Sequence, residues 1–325
     1  MRILRAIHLG MCFGVRDAIA LARQTATQDS VTVLGQLVHN QSVLNHLRRD
    51  GIQFADVAGD VQTNTILITA HGASDKRIAA ATATGRRIIE ATCPLVHHAH
   101  RELRMLLAAG YHPVVIGKRG HVEVNGLTED LAECDVVLTE ADVAAMSARL
   151  KFGVVAQTTQ PVERVQRLTT LIRQRFPQSE VCLRDTVCRP TKDRQESARD
   201  LATQCDVVIV IGGANSNNTQ ELVTTCRQNC GRVHHVQTAD DLRMDWFQSG
   251  DTIGLTAGTS TPDWIIDAVE ERLQELGATP PAPALSQSAS PAVGFQSSST
   301  GSFALTAARP GNFRPTVRSE APIVT

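Results

Sequence analysis

Apolar and polar positions along the chain fall into two alternating textures. Short aliphatic runs such as VTVL at 31–34, TILI at 65–68 and VVIVI at 207–211 each run into a polar turn. Beyond each turn, apolar residues recur every three or four positions. Brief β-rich runs alternating with helix-spaced segments indicate an α/β fold with mainly parallel sheets.

Two units recur in this pattern. SVTVLGQLVHNQSVLNHLRRDG (30–51), KFGVVAQTTQPVERVQRLTTLI (151–172) and GDTIGLTAGTSTPDWIIDAVEERL (250–273) each read as strand, polar turn and amphipathic helix. NTILITAHGASDKRI (64–78), YHPVVIGKRGHVEV (111–124) and CDVVIVIGGANSNNTQELV (205–223) interleave with them, each with glycine in the turn. Three copies of each unit predict three small α/β domains of about 80 to 90 residues. Their expected limits are 13–93, 94–186, and 187–277 joined by 1–12. The stretch 278–325 is rich in Pro, Ser, Ala and Gly without periodicity, and is expected to be a disordered tail.

In open α/β sheets, ligands gather beyond the carboxyl ends of the strands, so the turns are where chemistry is expected. They carry Val38-His39-Asn40, Ala70-His71-Gly72, Gly120-His121-Val122-Glu123, Gln157-Thr158-Thr159, Asn215-Ser216-Asn217-Asn218 and Thr259-Ser260-Thr261-Pro262. Singly, such residues cap helices and form Asx turns. Together, hydroxyls, amides and imidazoles at helix N-termini suit a multiply charged phosphate group. No Walker A or GxGxxG pattern occurs, which disfavours an ordinary nucleotide triphosphatase or a dinucleotide enzyme.

Charge and composition narrow the partners. With 325 residues and a net charge of −1, the chain shows no basic stripe for nucleic acid and no membrane-surface patch. No apolar stretch approaches the roughly 18 residues that span a bilayer, so a cytoplasmic protein is expected. Eight cysteines there point to metal binding or catalysis rather than disulfides. Cys12, Cys93 and Cys188 each follow a strand and lead into a helix, one per third of the chain, as an iron–sulfur cluster on a pseudo-threefold axis would need. The other five sit in apolar or helical contexts and read as inert thiols, with Cys226 and Cys230 four apart on an expected helix. The segment EATCPLVHHAH (90–100) leaves a second possibility, a zinc site of Cys93 with His97 and His100, one and nearly two turns on.

GMCFGVRDAI, VHN, TAHGAS, EATCPLV, GHVEV, QTT, CRPTKDRQ, GGANSNNTQEL and TAGTSTPD occur in this order over residues 1–276. This series resembles the LytB family of 4-hydroxy-3-methylbut-2-enyl diphosphate reductases, the last enzymes of the methylerythritol phosphate route to isoprenoids. The resemblance implies three α/β domains around a central cavity and a [4Fe–4S] cluster on Cys12, Cys93 and Cys188, with one iron open to substrate. It implies diphosphate contacts at His39, His71, Ser216, Asn217, Asn218 and Ser260, with His121, Glu123 and Thr158 at the allylic alcohol end.

Glu123 is the expected proton relay and Thr158 the group that positions the substrate hydroxyl. GHVEV is expected to be extended, with His121 and Glu123 two residues apart along one strand. The implied reaction is a two-electron reductive dehydroxylation giving isopentenyl and dimethylallyl diphosphate, with ferredoxin or flavodoxin as electron donor. The chain departs from the family pattern at Met11, Val122, Asn217, Arg189 and Pro190, which leaves a cluster-binding prenyl diphosphate sensor as the alternative, and a zinc hydrolase as a third reading.

Overall fold

Apolar runs become strands where both faces are covered, and the computed structural model, which describes residues 2–278, covers them with helices. The chain opens with β1 (Arg2–Arg5) and α1 (Phe13–Ala26). It continues through β2 (Val31–Leu34), α2 (Gln41–Arg49), β3 (Gln53–Ala55), β4 (Thr65–Ile68), α3 (Asp75–Thr82) and β5 (Arg87–Glu90). Next come α4 (Pro94–Ala108), β6 (His112–Ile116), α5 (Val122–Thr128), β7 (Asp135–Val137), α6 (Glu140–Ala145), β8 (Lys151–Ala156), α7 (Val162–Arg175) and β9 (Glu180–Leu183). The last third holds α8 (Arg189–Ala202), β10 (Val207–Ile211), α9 (Asn217–Arg227), β11 (Val233–Val236), β12 (Thr252–Ala257) and α10 (Asp263–Ala278).

The strands form three four-stranded sheets, β3-β2-β4-β5, β7-β6-β8-β9 and β11-β10-β12-β1. All pairings are parallel, and one order is used three times. β1 fills the edge position that β5 and β9 hold in the other sheets, pairing with β12 from Arg2↔Thr252 to Arg5↔Leu255. The fold is α/β, as the alternation implies. The central strands β2, β4, β6, β8, β10 and β12 are almost wholly apolar and buried, with Val33, Leu67, Val114, Val154, Ile209 and Leu255 fully enclosed. Parallel strands covered on both faces have this continuous apolar character.

This strand order decides where the site can be. After the first central strand of each sheet the chain steps outward to one edge, then returns to the other side, so the order reverses between the two central strands. A crevice opens at such switch points. The six turns picked out in the sequence follow those six central strands.

Two local expectations are corrected. GHVEV is not extended, because Val122 begins α5 and His121 is its N-cap. Gly120, at φ +80, turns the chain sharply there, and the His121 ring accepts the Glu123 N–H in the manner of a capping side chain. Cys226 and Cys230 do not share a helix either, since α9 ends at Arg227 and Cys230 lies in the turn beyond. Pro190 sits in the first turn of α8, where its missing N–H has no intrahelical partner to lose.

Among the described residues, no helix is long and apolar enough to cross a membrane. The expected tail, 278–325, lies outside the described residues except for Ala278, which ends α10.

Candidate active site

The turns converge on one cavity. It is lined by Val15, Val38, His39, His71, His121, Glu123, Thr159, Ser216, Asn217, Asn218, Thr259 and Ser260. Its free volume of about 40 Å³ holds a water or two. A larger cleft of about 660 Å³ between α7, α8 and α9 contains none of these residues.

Three imidazoles form one wall. The His39 and His71 ring centroids are 4.4 Å apart, with His121 at 5.1 Å from His39 and 5.7 Å from His71. Burial first, and nearby positive charge second, hold all three below the usual imidazole range. His71 is held well below the usual range by burial and then by its two neighbours, and His39 is lowered by burial and by Lys118. Burial, His39 and Lys118 push His121 down to about 3. Its Nδ1 accepts the Glu123 N–H at 3.1 Å, so the neutral ring carries its proton on Nε2 and presents a donor.

Neutral buried histidines make the fold acid-sensitive. As pH falls below 6.5, unfolded His121 takes up a proton that the folded residue refuses until about 3, so stability drains away through that window. His121→Asn keeps an acceptor for the Glu123 N–H and removes the titration. Between pH 7.5 and 5 the parent chain should lose about 2 kcal/mol more than this variant in urea unfolding. Equal pH dependence in the two proteins would contradict the assignment.

Glu123, which also lines the cavity, forms a carboxyl–hydroxyl pair with Thr158. Glu123 is 1% exposed; its Oε1 accepts the Thr158 N–H at 2.7 Å and its Oε2 the Thr158 hydroxyl at 3.0 Å. Burial outweighs both hydrogen bonds and lifts Glu123 to about 7. A carboxyl half-protonated near neutral pH can give a proton to Thr158 and take one back. The Thr158 carbonyl in turn accepts the Cys188 N–H at 3.0 Å, which ties this pair to the third cysteine.

The third sheet supplies the remaining polar groups. Ser216 caps α9, its hydroxyl accepting the Thr219 N–H at 3.3 Å. Asn218 accepts the Thr259 N–H at 2.9 Å through Oδ1 while its buried Nδ2 has no partner. Ser260 donates to the His39 carbonyl at 3.3 Å. Asn217 behaves differently: its Nδ2 donates to Thr159 Oγ1 at 3.0 Å, locking one turn against another. Buried donors or acceptors without partners are uncommon, and His39 Nε2, His71 Nδ1 and Asn218 Nδ2 are three in one cavity. Thr159, Thr259, Val15 and Val38 also line it. Thr159, Thr259 and Val38 stood in the singled-out turns without a role, while nothing in the pattern distinguished Val15 from a core residue.

Cys12, Cys93 and Cys188 are the N-caps of α1, α4 and α8, and none uses its thiol as a cap. Three thiols are thus held at helix N-termini, Cys188 Sγ with Thr191 Oγ1 at 3.1 Å. A Cβ built on Gly14 would stand 2.5 Å from Cys93 Sγ, so only glycine lets that sulfur nestle against α1 beside Cys12. Among the described residues no three His, Cys, Asp or Glu side chains converge at single-ion spacing. A multi-iron cluster asks for something else, since each thiolate takes a separate iron, and three soft donors on three helix ends fit that demand.

Of the other thiols, Cys226 and Cys230 lie in the core, and Cys134, Cys182 and Cys205 pack partly buried against it. Cys226 is fully buried and burial raises it to about 12; Cys205 is likewise raised to about 11. The histidines of α4 have other partners. His97 meets Glu90 at 3.4 Å, His98 lies 3.1 Å from Arg101, and His100 is wedged between Gly72 and Gly126. The structure does not gather them with Cys93.

Known proteins match both the sequence and the fold. Residues 3–274 match the family model described as LytB protein. A 4-hydroxy-3-methylbut-2-enyl diphosphate reductase of Geobacter sp. (strain M21) is 37% identical over 279 residues, 85% of this chain and 98% of that protein. Its counterpart in Aquifex aeolicus (strain VF5) is 35% identical over 280 residues, 84% of this chain and 96% of its own. The solved E-1-hydroxy-2-methyl-but-2-enyl-4-diphosphate reductase from Plasmodium falciparum aligns with a TM-score of 0.79 at 27% identity, over 86% of this chain and 89% of that one. A solved (E)-4-hydroxy-3-methyl-but-2-enyl diphosphate reductase, described as the terminal enzyme of the non-mevalonate pathway, gives 0.61 at 35% identity, over 85% and 100%. The chain belongs to the LytB protein family.

Proposed function

We propose that this protein reduces 4-hydroxy-3-methylbut-2-enyl diphosphate to isopentenyl and dimethylallyl diphosphate, at the end of the methylerythritol phosphate pathway. The observation that carries this reading is Thr158, whose hydroxyl meets the buried Glu123 carboxyl while its carbonyl holds the backbone of Cys188. One residue thereby joins a proton source to the candidate cluster.

Cys12, Cys93 and Cys188 hold a [4Fe–4S] cluster. When bound, it supplies electrons singly and one coordination position not taken by protein. Ferredoxin or flavodoxin in the cytoplasm delivers those electrons. The same reading divides the chain at 13–93, 94–186, and 187–277 with 1–12.

The chain's own residues bind the diphosphate and move the proton. Orphaned His39 Nε2, His71 Nδ1 and Asn218 Nδ2, with the hydroxyls of Ser216 and Ser260, surround the diphosphate. His121 and Thr158 orient the allylic alcohol. Protonated Glu123 donates to Thr158 Oγ, whose own proton passes to the departing oxygen, so that hydroxide leaves as water. Two electrons and two protons enter in total. One proton leaves in water and the other ends on an allylic carbon.

Asn218 offers a test of the diphosphate end. Asn218→Asp keeps the acceptor for the Thr259 N–H but replaces the free donor with a charge that repels phosphate. KM should rise about 10- to 100-fold with a smaller change in kcat, in proportion to one charge-assisted hydrogen bond. An unchanged KM would remove Asn218 from the phosphate site. For the reading as a whole, Mössbauer spectra of iron-57 protein prepared without oxygen should show a four-iron cluster with one distinct site that shifts when substrate is added. Zinc without labile sulfide would point to a hydrolase, and a cluster indifferent to substrate to a sensor.

A further inference from the structure

Arg194 has no part in the chemistry above, yet it is 7% exposed and placed between two of the candidate cluster ligands. Its Nε and Nη2 donate to the Gly10 carbonyl at 2.9 and 2.7 Å, and its Nη1 donates to the Pro190 carbonyl at 2.9 Å. Gly10 stands two residues before Cys12 and Pro190 two residues after Cys188. One guanidinium therefore clasps both cysteine-bearing turns.

The clasp engages all three nitrogens but does not neutralise the charge. Its acceptors are neutral carbonyls, and among the described residues Arg194 forms no ion pair. Asp193, next in sequence, is engaged with Arg189 at 2.6 Å. Arg16 opposes the Arg194 charge, and foremost among the groups that could answer it are the Cys12 and Cys188 sulfurs once they are thiolates. A buried cation without a counter-charge is costly, and proteins retain one where an anion or a metal centre answers it.

We propose that Arg194 is the counter-charge of the iron–sulfur cluster, stabilising the loaded protein and favouring the cluster's reduced form. A [4Fe–4S] core in its 2+ state with three thiolates carries net negative charge, and each added electron increases it. A fixed cation beside two of the ligands stabilises the reduced state more than the oxidised one, raising the potential at which electrons are accepted. The proposal rests on the reading of Cys12, Cys93 and Cys188 as ligands.

Arg194→Lys keeps the charge and loses the fork, whereas Arg194→Gln keeps hydrogen-bonding capacity and loses the charge. Iron and sulfide content, melting temperature before and after anaerobic reconstitution, and midpoint potential are measured for both variants and the parent. The Gln variant should show a more negative midpoint and a smaller rise in melting temperature on reconstitution, while its cluster-free form melts no lower than the parent's. The Lys variant should stay close to the parent in both.

Iron uptake by the Lys variant but not by the Gln variant would also support the proposal. It is overturned if the Gln variant has the parent's midpoint and the parent's gain on reconstitution. It is equally overturned if both variants are displaced alike or both fail to take up iron, since shape rather than charge would then matter. Absence of iron and sulfide from the parent itself would instead defeat the ligand reading.

Discussion

Glu123→Gln should lower turnover about a thousandfold, the middle of the range for losing a general acid, while KM changes little. Glutamine reproduces the acceptor for the Thr158 N–H and can still meet the Thr158 hydroxyl, so the substrate end of the cavity keeps its shape. What it lacks is a transferable proton. Single-turnover reduction of the allylic alcohol diphosphate under anaerobic conditions is the measurement, and turnover within a few-fold of the parent would remove Glu123 from the proton path.

The same substitution should stabilise the fold above neutral pH. The unfolded carboxyl releases its proton near 4.5, whereas the folded one keeps it up to about 7, so the folded chain binds the extra proton across that window. Stability conferred by burying a neutral acid is lost as pH climbs through the window and does not return above it. At pH 8 the Gln variant should therefore exceed the parent by about 3 kcal/mol in urea unfolding of the cluster-free protein, with the gap closing below pH 5. Gain in stability with loss of activity marks a carboxyl held in place for chemistry.

Much of the fold was legible because its strands are buried on both faces. VTVL, TILI and VVIVI announce themselves as continuous apolar runs, and their repetition predicts sheets of one design. The convergence of His39, His71 and His121 was legible less directly. Each stands in a turn after a central strand, and only the shared strand order brings those turns to one crevice.

GHVEV was misread because Val122 and Val124 alternate with Glu123 as in a strand, while the cap that starts the helix is a histidine ring. Histidine is not among the usual capping residues, so the local signal was absent. The role of Asn217 was equally hidden. Flanked by Ser216 and Asn218, it looks like a third phosphate contact, and only the tertiary structure turns it toward Thr159. Arg194 stood in plain view within CRPTKDRQ, but burial of an arginine cannot be read from one sequence.

Neutral imidazoles in place of Lys or Arg also follow from the architecture. Six turns meet in a cavity of about 40 Å³, where two cations would repel each other across a few ångströms with little water between them. Imidazoles can stay neutral while the cavity is closed and still donate through N–H groups when an anion arrives. The cost is the acid sensitivity argued for His121.

Cys188→Ser should abolish cluster binding, and with it all reductase activity above background. Serine oxygen is a hard, weakly acidic donor and does not replace a thiolate on iron. Removing one of three ligands leaves the cluster two, too few to resist loss of iron. The substitution is otherwise mild: Cys188 Sγ lies 3.1 Å from Thr191 Oγ1, a bond that a hydroxyl can make, and the thiol does not cap α8.

The cluster-free variant should accordingly melt with the cluster-free parent, separating lost ligation from lost folding. Cys134→Ser, at a half-buried thiol packed against the core of the second sheet, serves as the control and should keep full iron and sulfide. Iron and sulfide analysis after anaerobic reconstitution decides the matter. A full complement in Cys188→Ser, or an equal loss in Cys134→Ser, would mean that the three helix-capping cysteines are not the cage.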